Sequence, residues 1–89
     1  MHKHNIRQAK YHDGYKIFLG FDDGLKGIVD LKNFIFNNSF SAFKRLQDKN
    51  QFKDFILENH TLVWGNDLDL APEFLYNLLL NSDKLIEIK

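Results

Sequence analysis

An α+β fold is expected from three features of the 89-residue chain. Alternating apolar runs are punctuated by Asp13-Gly14 and Asp23-Gly24, two further apolar runs flank Asn59-His60, and Pro72 opens a stripe of leucines at helical spacing. The first two features are hairpin signals and the third is a helix signal. They predict a small antiparallel β-sheet, made of a meander plus a hairpin, with two to three short helices packed on one face. One domain over residues 1–89 accommodates all of it, because the chain is too short for a second core.

The meander comes first. Tyr15, Ile17, Leu19 and Phe21 alternate with Lys16, Phe18 and Gly20, a period of two that gives strands at about 5–12, 15–22 and 25–30. Each Asp-Gly pair suits a two-residue loop with positive φ at both central residues. A two-residue second loop sets Leu19 opposite Ile28, Phe18 opposite Val29 and Gly20 opposite Gly27. From Leu31 to Phe36 the chain is apolar without a clear period and is expected to be irregular. Ser39 is placed to cap a short helix reaching about Leu46, and Asp48 to start another turn that carries Phe52 and Phe55. Phe55–Glu58 and Thr61–Trp64 then form a hairpin across Asn59-His60, two residues that tolerate left-handed backbone. Its pairing sets Phe55 against Trp64 and Leu57 against Leu62, so Trp64 is expected in the core. Ala71 precedes a proline and stays extended, Pro72 takes the first helical position, and Glu73 suits the positive end of the helix dipole. Leu75, Leu78 and Leu79 form the apolar stripe of that helix. The tail Leu85–Lys89 alternates enough to be a last strand.

Composition excludes several functions. The chain has no Cys, which removes disulfides and thiolate metal sites, while 44% hydrophobic and 15% aromatic content supplies a core despite the small size. No apolar run reaches the roughly 20 residues that span a bilayer, and no signal-like segment opens the sequence, so a cytoplasmic protein without membrane contact is expected. The net charge is zero but polarised. Residues 1–16 carry Lys3, Arg7, Lys10 and Lys16 against Asp13, whereas residues 54–83 carry six carboxylates and no Lys or Arg.

The segment Trp64-Gly65-Asn66-Asp67-Leu68-Asp69-Leu70-Ala71-Pro72-Glu73-Phe74-Leu75-Tyr76 and the turn Phe21-Asp22-Asp23-Gly24-Leu25-Lys26-Gly27-Ile28-Val29-Asp30-Leu31 together resemble a small prokaryotic and phage family, the domain of unknown function DUF2442. The resemblance runs from about Ile6 to Leu79 and takes in Phe40, Leu46, Asp48 and Phe52. The family usually reads Trp-Pro-Asn-Gly-x-Asp after the last hairpin. Gly65 stands here for the proline and Asp67 for the glycine, so a differently shaped turn is expected before Asp69. The resemblance implies a small α+β fold with no established catalytic residue. It also implies a neighbouring small protein in an arrangement like that of toxin–antitoxin pairs.

The residues themselves offer little chemistry. Asn66, Asp67 and Asp69 are oxygen donors, but a calcium loop needs about six oxygens at a spacing absent here. Asp69 is instead expected to accept the Ala71 N–H in an Asx turn. Asp22, Asp23 and Gly24 read as turn residues. His2 and His4 lie near the terminus, and His12 and His60 at turns, so no metal site is expected, and no cofactor. There is no Gly-rich phosphate loop and no nucleophile–base pattern. Arg45, Lys49 and Lys53 recur every four residues and could line a helix face toward nucleic acid, but Asp48 and Asp54 interrupt them. The apolar surplus of Leu31, Phe34, Ile35, Phe36 and Phe40 points to a protein partner, with Phe36 and Phe40 also able to fill the core. Phe34 and Ile35 are the expected anchors, and Glu58 and Asp67 the expected charges steering a basic partner. The function expected is a non-enzymatic protein-interaction module, antitoxin-like or regulatory, whose partner is encoded by an adjacent gene. The alternatives are a nucleic-acid-associated accessory protein and a structural homodimeric domain.

Overall fold

The computed structural model describes residues 4–37, 40–65, 67–81 and the backbone of 85–86. Strands β1 (Ile6–Asp13), β2 (Lys16–Phe21) and β3 (Lys26–Asp30) form the expected antiparallel meander, and β7 (Leu85–Ile86) pairs with β3 as a fourth strand. The hairpin of β4 (Phe55–Glu58) and β5 (Thr61–Trp64) belongs to a second sheet, closed by β6 (Leu68–Asp69). Meander and hairpin are thus two sheets rather than one. The backbone bond from Ile6 N–H to the His60 carbonyl, 3.0 Å, joins them.

The registers depart from expectation at two turns. The Asp23 loop has three residues, because Phe21 N–H bonds to the Leu25 carbonyl while Gly24 N–H turns back to the Phe21 carbonyl. This is a tight turn followed by a left-handed residue, and Gly24 supplies it at φ 95°. The extra loop residue shifts the pairing by one: Leu19 faces Gly27, Phe18 faces Ile28 and Ile17 faces Val29. At the first turn the loop is Gly14-Tyr15, with only Gly14 left-handed, and a bulge at His12 absorbs the difference. The third turn matches its expectation. Asn59 and His60 both have positive φ, with Phe55 opposite Trp64 and Leu57 opposite Leu62.

The segment expected to be irregular is a helix, α1 (Lys32–Asn37). The Asp30 carboxylate accepts the Lys32 N–H at 3.0 Å, and Ile35 N–H bonds back to the Leu31 carbonyl. Leu31 and Ile35 are four apart and both buried, which is the helical period that the intervening Phe34 hides. A 3-10 helix follows at Ser41–Gln47, then α2 (Lys49–Phe52), whose cap Asp48 accepts the Asn50 N–H. The capping role expected of Ser39 falls outside the described residues. Phe55 starts β4 rather than extending α2. Helix α3 (Pro72–Leu80) begins as expected, with Ala71 extended and Pro72 at its start.

One core serves both sheets. Ile17, Leu19 and Val29 on the inner face of the meander cluster with Leu31, Ile35, Leu46, Phe52, Leu62, Trp64, Leu75 and Leu79. Each such side chain contributes roughly 1.5–3 kcal/mol by leaving water. The opposite face of the meander, with Lys16, Phe18, Lys26 and Ile28, is half-exposed.

Candidate functional site

Three constellations on the surface carry polar or apolar groups of potential consequence. In the turn after β5, Gly65 has φ 65°, a conformation closed to proline, and the turn brings Asp67 back toward the 3-10 helix. There Arg45 grips both carboxylate oxygens of Asp67, at 2.9 and 3.5 Å, and also donates to the Trp64 carbonyl at 3.0 Å. A Cβ on Gly65 would lie 3.3 Å from the guanidinium, so the small residue also leaves room for this clamp. Arg45, by hydrogen bond and then by charge, holds the Asp67 carboxyl below the usual carboxylate range. Asp67 is therefore an ionised carboxylate paired with Arg45 in a turn clasp rather than an isolated charge. Arg45, expected on a nucleic-acid face, is its partner. Lys49 and Lys53 lie apart from it over the rings of Tyr15 and Tyr11, each 5.8 Å from the centroid. The three cations do not form one helical stripe, because the 3-10 helix ends at Gln47 and α2 starts afresh.

The second constellation ties the start of the described chain to the second turn. Tyr76 on α3 donates its hydroxyl to Asp23 at 2.5 Å, His4 stacks on the Tyr76 ring at 3.6 Å, and Asn5 bonds Asp22 at 2.9 Å. Asp23 also accepts the Leu25 N–H at 3.0 Å. The Tyr76 hydroxyl is the main cause that lowers the Asp23 pKa, and Asp23 in turn raises that of Tyr76. Asp23 with Tyr76 and Asn5 with Asp22 satisfy one another, and the cluster fastens α3 to the meander. Among the described residues no three His, Asp or Glu side chains converge as metal ligands would.

The third is the outer edge of β4. A two-residue turn closes the β4–β5 pair on Glu58 and Thr61, so alternate residues bond across it and Leu57 directs its N–H and C=O away from β5. The Leu62 carbonyl, opposite Leu57, accordingly points outward to Leu70 N–H on the far side. Among the described residues no backbone group of Phe55 or Leu57 bonds to another segment. Ile56 is 54% and Leu57 39% exposed, and the strand has neither a bulge nor a Lys or Pro to blunt it. By contrast β1, the edge of the other sheet, is interrupted by irregularities around Arg7 and His12. Between the two edges runs a groove lined by Ile6, Arg7, Leu57 and His60 at one end and by Ala9, Lys10 and Phe18 at the other.

The remaining sequence candidates distribute as follows. Ile35 is 1% exposed and belongs to the core, so it is not available as an anchor. Phe34 is half-buried between Phe43 and Phe74, with ring centroids 5.1 and 4.9 Å away. Phe36 and Phe40 are exposed rather than core-filling. Trp64 is buried, donating its indole N–H to the Phe52 carbonyl at 2.7 Å. Asp69 pairs with Val63 in β6 and makes no bond to the Ala71 N–H; Ala71 precedes α3 without a side-chain cap. Glu58 is exposed at the end of β4. Ile56 and Leu57 were readable as a β4 pair in the sequence, but not as exposed, since which strand lies at an edge is a tertiary fact. No helix among the described residues is long and apolar enough to cross a membrane.

A family model described as a protein of unknown function (DUF2442) matches residues 6–79. Neither the curated proteins nor the solved structures give a match to the chain.

Proposed function

The chain belongs to the DUF2442 family, and from that premise we propose that it is a non-enzymatic protein-interaction module that binds its partner along the outer edge of β4. The observation that carries this reading is an edge strand without bulge, Lys or Pro, with outward backbone groups on Leu57 and exposed aliphatic side chains on Ile56 and Leu57. Such an edge is a template for strand addition, in which main-chain bonds give affinity and alternate side chains give selectivity. The satisfied state of the Asp23–Tyr76 and Arg45–Asp67 clusters supports a binding role over a catalytic one, since neither leaves an acid or base poised. The partner is the product of an adjacent gene, and the role is antitoxin-like or regulatory.

Co-expression with that neighbouring product and size-exclusion chromatography test the reading. The wild-type pair should co-elute, and the Ile56→Lys/Leu57→Lys variant should lose the complex while melting within a few degrees of wild type, as surface changes do. A complex that survives the double substitution overturns the assignment of the edge.

A further inference from the structure

We propose that the groove between β1 and β4 selects an acidic, extended polypeptide segment, an inference that rests on β4 being the contact edge. The groove is lined by two cations, Arg7 and Lys10, and by no carboxylate. Both cations are exposed, and neither has a carboxylate partner among the described residues. Arg7 sits at the irregularity between Ile6 and Gln8, where the β1–β2 pairing skips a residue. An irregularity of this kind re-aims a side chain, and Arg7 lines both ends of the groove. Lys10 lies three residues further along β1, about 10 Å at strand spacing. The apolar floor comes from Leu57, Ala9 and Ile6, with Phe18 beside Lys10.

These features together define the ligand. Outward N–H and C=O groups at Leu57 fit a strand backbone, and the aliphatic floor fits every second side chain. The cations then fit carboxylates spaced a few residues apart on the same segment. A nucleic acid would share the anionic requirement, but an aliphatic floor offers its bases no stacking platform. The partner is accordingly acidic where it meets this groove, rather than the basic one expected from the carboxylates of residues 54–83.

An eight-residue peptide alternating Val and Glu, capped at both ends, is the probe, with a Val–Lys peptide and octathymidylate as comparisons. Titration into the ¹⁵N-labelled full chain should shift the amides of Arg7–Lys10, Phe18 and Ile56–Glu58. Affinity should fall at least about tenfold in Arg7→Glu/Lys10→Glu and weaken with added salt, as charge complementarity requires. Absence of binding, equal binding of the Val–Lys peptide, or tighter binding of octathymidylate at the same amides overturns the proposal. Binding that is lost in Ile56→Lys/Leu57→Lys yet unchanged in Arg7→Glu/Lys10→Glu also overturns it, while leaving the β4 edge itself as the contact.

Discussion

Asp23 and Asp67 have their carboxyl pKa values lowered, the first chiefly by the Tyr76 hydroxyl and the second chiefly by Arg45. A carboxyl that titrates lower in the folded chain than in the unfolded one stabilises fully above its unfolded value of about 4. That contribution is lost as pH falls through the folded value. The melting temperature of wild type should therefore drop more steeply below pH 4 than that of Asp23→Asn/Asp67→Asn, and parallel acid limbs would contradict both pairings. Gly24 lies at φ 95°, so Gly24→Ala should cost about 1–2 kcal/mol in denaturant unfolding although no atom blocks the added methyl. Trp64→Ala should cost about 3–5 kcal/mol, and a melt within a few degrees of wild type would remove Trp64 from the core. Trp64 and Gly24 were legible in the sequence because cross-strand pairing and turn chemistry are local. The Arg45–Asp67 clasp was not, since it joins residues 22 apart through a turn whose shape depends on Gly65. The Asp69 Asx turn failed for a related reason: strand pairing with Val63 claims that residue first.

Among the elements, the hairpin β4–β5 and helix α3 followed directly from Asn59-His60 and Pro72. The register of β2 against β3 did not, because one extra loop residue between Phe21 and Leu25 shifts every pair. Helix α1 was hidden by composition, as Phe34, Ile35 and Phe36 in succession mask the Leu31–Ile35 period. Its correct assignment moves Ile35 into the core and leaves Phe36 and Phe40 outside. Helix α2 has only four residues and relies on its cap, so Asp48→Ala should destabilise by about 0.5–2 kcal/mol and Asp48→Asn by less. Equal unfolding free energies for wild type and the alanine variant would show that packing of Phe52 alone holds that turn.

At the scale of the whole molecule, two sheets share one core and meet at a single described backbone bond between Ile6 and His60, leaving a seam flanked by two strand edges. Neither the division into two sheets nor the seam could be read from local patterns, since both depend on which strands become neighbours. The β1 edge is interrupted by irregularities, while the β4 edge has no bulge and carries exposed Ile56 and Leu57. A contact at that edge makes a specific demand on the Leu57 amide, which faces away from β5 and should exchange quickly in the isolated chain. Amide hydrogen exchange of the free protein and of its complex with the neighbouring gene product measures this directly. Protection of Leu57 in the complex by tenfold or more, with the amides of α3 unchanged, is the predicted result. A stable complex in which Leu57 exchanges as fast as in the free chain would contradict the assignment of β4 as the binding edge.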